Sequence, residues 1–178
     1  MDRIAQLKRS GTHEIKGECN GERKLFMNGF LYKHPSTILA SDLKTLLLNH
    51  AVRSSANIVT AAEFPGLNTL GMSMARTDID PYDVVLPHSH PRASEMMFFP
   101  SGSVLATFFD TTGKLFQKRL CEGDVFIFPR GLVHFIMNYG VRLATMFSVL
   151  SSHNPSVVGI THAMFAPDSD VVEGWWPE

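Results

Sequence analysis

From residue 69 onward the chain repeats one pattern: short runs rich in Val, Phe, Ile and Met, broken by turn residues. The runs are TLGMSMARTDI, DVVLPHSH, EMMFFP, SVLATFFD, LFQKRL, DVFIFP, VHFIMNY and RLATMFSVL. The breaks include DPYD, SG, TTGK, CEGD and RGL. Runs this short with turns this regular predict an all-β protein, an antiparallel sandwich or barrel. Residues 1–34 read as an irregular arm with one short strand at KLFMNGF. ASDLKTLLLNH predicts a short helix over 42–49, with Ser41 as N-cap. HNPSVVGITHAMF predicts a helix with Asn154 as N-cap and Pro155 at its first position, and DSDVVEGWWPE adds one more helical turn. The expected organisation is one structural domain: arm and short helix over 1–50, barrel over 51–152, helical segment over 153–178.

A length of 178 residues carries one sizeable core, and 44% hydrophobic with 19% charged residues is ordinary for a globular chain. A net charge of −1 without a basic patch argues against nucleic acid as partner. No run of 18 apolar residues occurs, so no membrane-spanning helix is expected. The first twenty residues lack the apolar stretch of a signal peptide, which points to the cytoplasm if Met1 is the native start. Cys19 and Cys121 form no Cys-x-x-Cys motif and no disulfide framework.

The chemistry concentrates in PHSHPRASEMMFF, residues 87–99. His88 and His90 are two apart and share a face if they lie on a strand. Glu95 has the wrong parity for one unbroken strand. Pro91 cannot donate to a central ladder, so a bend at Pro91-Arg92-Ala93 is expected to bring His88, His90 and Glu95 to one point. In GDVFIFPRGLVHFIMN, residues 123–138, a hairpin can carry His134 back to face them. Three imidazoles and a carboxylate leave one or two open positions on a six-coordinate transition metal ion. Such mixed ligation suits Mn or Fe, with Zn and Cu left open. The bland alternative for any single one of these histidines is an ordinary strand residue. The remaining histidines, His13, His34, His50, His153 and His162, lack partner spacing.

Together the two stretches resemble the paired motifs of germins and germin-like proteins, in the cupin superfamily. His88, His90, Glu95 and Gly102 match the first motif, with Tyr82 where its leading glycine belongs. Gly123, Pro129, Gly131, His134 and Asn138 match the second. FPGLNTLGMSMAR, KLFQKRL and LSSHNP are also similar to germin sequence, and the resemblance covers about residues 55 to 166. It implies a jelly-roll β-barrel with one metal ion per chain inside, usually manganese, held by His88, His90, Glu95 and His134. It also implies a homo-oligomer, dimer or hexamer, with C-terminal helices clasping neighbours, and a secreted protein.

The chain departs from that pattern in three places. Tyr32 stands where the second N-terminal cysteine is expected, so no disulfide is expected. The two asparagines that oxalate oxidases place near the metal align with Ala75 and Val85, neither of which can donate to an oxalate oxygen. The tail is short and ends in GWWPE. Parity predicts that Val84 and Leu86 face inward with the histidines, and Met97 and Phe99 with Glu95. With Ala75, Val85 and Ile136 these would make a mostly apolar wall, read either as plain barrel core or as a pocket for a larger organic substrate. Asn138 shares the parity of His134, so it faces inward either to reach the site or, the favoured reading, to brace the barrel. Three functions fit: a metal-dependent oxidoreductase acting on a small organic molecule, dioxygen or superoxide; a non-redox isomerase, cyclase or lyase using the metal as Lewis acid; and a ligand-binding protein without turnover.

Overall fold

The computed structural model describes residues 25–47 and 54–160. Among the described residues, twelve strands carry the fold: β1 (Leu25–Met27), β2 (Phe30–Tyr32), β3 (Ser55–Val59), β4 (Ser73–Ile79), β5 (Val84–Ser89), β6 (Glu95–Ser101), β7 (Ser103–Phe109), β8 (Leu115–Cys121), β9 (Val125–Phe128), β10 (His134–Asn138), β11 (Ala144–Leu150) and β12 (Val158–Gly159). β1 and β2 form a separate hairpin; the rest make two five-stranded sheets, ordered β3-β4-β11-β6-β9 and β12-β5-β10-β7-β8. All these pairings are antiparallel. The two sheets form the jelly-roll that the alternating runs and the motif resemblance predict.

Period-two alternation sets the core. β11 buries Ala144, Met146, Ser148 and Leu150, and β6 buries Glu95, Met97 and Phe99. Ile79, Val104, Ala106, Leu120, Phe128, Ile136, Ala144 and Met146 pack with Met97 and Phe99 between the sheets. Each of the larger side chains among them gains roughly 1.5–3 kcal/mol by leaving water, and each alanine roughly 0.8 kcal/mol. The outer residues of the β6 sheet are also apolar: Met74, Val149, Met96 and Ile127 lie in one cross-strand row, and each is exposed.

Local expectations fail where tertiary bonds claim the backbone. KLFMNGF is not one strand but part of the β1–β2 hairpin, turned at Asn28-Gly29, both with positive φ (55° and 81°). β3 was not expected at all. The helix predicted over 42–49 is a 3-10 turn at Ala40–Leu43, and Lys44 is already extended. Its cap is not Ser41: the Asp42 carboxylate takes the Leu39 N–H and the Lys33 ammonium instead. Residues 48–53 lie outside the described part. No helix starts at Asn154 or Pro155. The Asn154 carbonyl accepts from Arg92 Nε, the Pro155 carbonyl from the Arg92 N–H, and Val158–Gly159 pairs with β5. The helical turns predicted beyond 160, and Cys19, fall outside the described residues; Cys121 is a free, exposed thiol.

Asn138 is fully buried and braces the barrel. Its Nδ2 donates to Ile79 O (2.9 Å) and Arg142 O (2.8 Å), and its Oδ1 accepts from Gly140 N (2.9 Å). Both amide hydrogens are thereby committed, which is the favoured bracing reading; the alternative, a donor to the pocket, is excluded for these hydrogens.

The first motif also explains its own glycines. Gly102 has φ +95°, and an added Cβ would come within 2.5 Å of Ala144 Cα. Tyr82, at the other glycine position of the motif, has φ 61° and is 72% exposed. A left-handed backbone costs an L-residue about 1–2 kcal/mol. Gly102→Ala is therefore expected to destabilise by roughly 2–5 kcal/mol, from backbone strain and overpacking together. Tyr82→Gly is expected to stabilise by about 0.5–1 kcal/mol, the strain relieved less the added freedom of the unfolded chain. Urea denaturation midpoints check both; equal effects of the same sign would contradict this account.

Candidate metal centre

β5 and β6 belong to different sheets, and the turn between them makes the site. The chain leaves β5 at Ser89, closes with the Ala93 N–H on His90 O (3.2 Å), and enters the opposite sheet at Glu95. This crossing removes the parity problem, because Glu95 faces the histidines from the facing sheet. His134 opens β10, directly opposite His88 in register. Gly131, in the turn before β10, has φ +73° and donates its N–H to His90 O (3.1 Å), which ties the two motifs together.

One ligand atom from each of His88, His90, Glu95 and His134 lies within 4.8 Å of the other three. His90, Glu95 and His134 are buried, and His88 is partly exposed at the rim. All three imidazoles are oriented the same way. His88 Nδ1 lies 2.8 Å from Leu86 O, His90 Nδ1 2.7 Å from Ser156 O, and His134 Nδ1 2.9 Å from Leu132 O. A carbonyl only accepts, so each Nδ1 carries the hydrogen and donates it. In the neutral ring that leaves Nε2 as a bare lone pair. Phe128 stacks on His134 with ring centroids 4.3 Å apart and fixes its plane.

The Nε2 atoms of His90 and His134 lie 3.1 and 3.2 Å from Glu95 Oε2. Yet Glu95 Oε2 and His134 Nε2 have no directed hydrogen bond. Burial opposes charge on Glu95, but the adjacent His134 and His90 outweigh it and hold the carboxyl well below its usual range. Burial also pushes His90 down; its Glu95 partner reverses this and raises it. Burial, with His134 beside it, lowers His88 to about 4. A buried carboxylate among three imidazoles thus calls for one positive charge at its centre. A proton on His90 supplies one; a divalent cation supplies more and also meets the orphaned Nε2 and Oε2 atoms. The donor set fits a transition metal ion.

Around the centre, the structure divides the expected pocket residues. Met97, Phe99 and Ile136 are buried in the main core, with Val85 packed against it. Ala75 is buried against Leu150 and Ala93, the residue two before Glu95. Leu86 does not face inward: it is 59% exposed. The cause is an extra residue in β5. His134 pairs with His88, but Ile136 pairs with Val85, so three steps on β5 match two on β10. This bulge falls at Leu86-Pro87, where proline has no N–H for the ladder, and it inverts parity before the histidines. Val84, Val85's neighbour, accordingly alternates away from it. A cleft of about 380 Å³ lined by Phe108, Phe116, Val125 and Phe126 includes none of the four candidate ligands.

Two inward hydroxyls were missed. Ser73 and Ser148 are 2% and 0% exposed, and neither Oγ has a hydrogen-bond partner among the described residues. The signal was present in ATMFSVL, where a serine occupies an inward position between Met146 and Leu150. The carbonyls of Leu86, Leu132 and Ser156 that orient the imidazoles carry no side-chain signal at all.

The Cupin family matches residues 48–173. Germin-like protein 11-1 of Oryza sativa subsp. japonica is 79% identical over 160 residues, covering 86% of this chain and 72% of that protein. Among solved structures, an oxalate oxidase superposes with a TM-score of 0.72 at 30% identity, covering 88% of this chain and 80% of that one. Peruvianin-I, a cysteine peptidase from Thevetia peruviana latex, superposes with a TM-score of 0.71 at 34% identity, covering 76% of this chain and 88% of that one. Fold, paired motifs and sequence agree that the chain belongs to the germin-like proteins of the cupin family.

Proposed function

We propose that this germin-like cupin binds one transition metal ion through His88, His90, Glu95 and His134 and acts as a metal-dependent oxidoreductase. The substrate class is a small organic molecule, dioxygen or superoxide. The observation that carries the metal reading is the convergence of the four side chains, with each imidazole's Nδ1 held by a carbonyl and the Nε2 atoms of His90 and His134 beside Glu95. Three nitrogens and one oxygen favour manganese or iron, the metals that leave open positions at such a set. When bound, the metal would supply redox capacity and a charge for substrate oxygens. The protein's own part is to hold four ligand atoms in place, exclude water with Phe128, Met97 and Ile136, and keep His88 neutral at pH 7.

Metal content gives the first check. Dialysis against manganese is expected to load wild type with one ion per chain. His134→Ala removes one imidazole and is expected to cost most of that occupancy. Elemental analysis showing full occupancy in the variant would remove His134 from the ligand set.

Oxalate gives the second. The oxalate oxidase neighbour is similar in structure at 30% identity. In this chain the inward residues Ala75 and Val85 offer no donors to a second carboxylate. Each oxalate oxygen left without a partner costs roughly 1–3 kcal/mol, so turnover is expected to be weak or absent. A turnover number on the order of 10 per second would contradict this. Ala75→Asn with Val85→Asn is the converse test, and a gain in oxalate activity is the expected result.

The exposed row Met74, Val149, Met96 and Ile127 supports a homo-oligomer, because a monomer would leave that apolar sheet face in water. Sedimentation at the mass of one chain would contradict it.

A further inference from the structure

We propose that Ser148 is a ligand-contacting residue, whose hydroxyl donates to an oxygen of a small organic acid bound at the metal centre. The inference rests on the metal-dependent reading above and names the group that would orient its substrate.

Leu150 stands opposite Glu95, and Ser148 stands opposite Met97, so Ser148 and Glu95 are diagonal neighbours on the inner face. Diagonal neighbours lie about 7–8 Å apart, within reach of one small molecule. On its other side Ser148 stands opposite Ala75, the smallest inward residue that β4 offers there. The Ser148 side chain is 0% exposed and its Oγ has no hydrogen-bond partner among the described residues.

A buried hydroxyl without a partner is costly, and proteins rarely keep one except where something else completes it. Its inner-face neighbours are Met97 and Ala75 beside it and Leu150 two residues on, with the buried Ser73 and Thr77 diagonal to it on β4. The Ser148 hydroxyl is a neutral donor that suits one oxygen of a ligand at that end. Ser73, opposite Leu150 and diagonal to Ser148, likewise has an Oγ without a hydrogen-bond partner among the described residues. The position is therefore built to orient a small acid by one hydrogen bond while its carbon frame rests on Met97 and Ala75.

The test uses glycolate as probe on manganese-loaded protein. Wild type and Ser148→Ala are titrated while the manganese resonance spectrum and binding heat are recorded. The expected result is about tenfold weaker glycolate binding in the variant, the loss of one hydrogen bond. Manganese content is expected to be equal in both, and the metal-free variant is expected to melt at the same or a higher temperature, because an unpartnered hydroxyl has gone. Affinity within twofold of wild type overturns the role of Ser148. So does a lower melting temperature with lost manganese, which would mean that the hydroxyl supports the barrel. Glycolate failing to bind loaded wild type also overturns it. Wild type that takes up neither manganese nor iron removes the metal reading itself, and with it this one; normal uptake with unchanged affinity removes only the role of Ser148.

Discussion

Everything at the centre depends on three backbone carbonyls. Leu86, Leu132 and Ser156 each take the Nδ1 hydrogen of one imidazole. Without them, the rings of His88, His90 and His134 would be free to turn or to change tautomer, and a neutral ring could present either nitrogen to Glu95. With them, the bare nitrogens converge. The cost of this convergence is visible in the protein itself: a carboxylate held charged in a buried place, and two polar atoms without directed partners. A fold retains such an arrangement where an ion resolves it.

The fold provides those carbonyls from three separate segments. Leu86 sits at the bulge of β5, Leu132 in the turn before β10, and Ser156 in the strap that leads to β12. The strap is held by Arg92, which donates to the Asn154 carbonyl and side-chain oxygen and, through its N–H, to Pro155 O. The same turn that carries His90 thus also anchors the segment that orients it. Asn138 closes the other side by joining β10 to the Ile79 and Arg142 backbone.

What the sequence made legible followed from side-chain chemistry. The strands from β4 to β11 were readable because their apolar residues alternate and their breaks hold Gly, Pro and Asp. The four candidate ligands were readable because their types and spacing are rare together. Leu86 was misplaced because its parity was counted back through a bulge at Pro87, which only the pairing with β10 reveals. The helix expected from Asn154 was misread because an N-cap residue followed by proline also suits an extended strap whose carbonyls are taken by Arg92. β3 escaped notice because SANIV is short and only partly apolar, and its place is fixed by pairing with β4. Ser148 was overlooked because the hydroxyl matters only through its inward register.

The central claim is the shared tautomer of the three imidazoles, and nitrogen-15 NMR of the histidine rings tests it directly. Zinc serves as a diamagnetic occupant, added to metal-free protein at pH 9 so that the rings are neutral at the start. The account predicts that His88, His90 and His134 each keep a slowly exchanging proton on Nδ1, and that their Nε2 resonances, and not their Nδ1 resonances, shift as zinc binds. A ring among the three with its proton on Nε2, or zinc that leaves the Nε2 resonances unmoved, would contradict it.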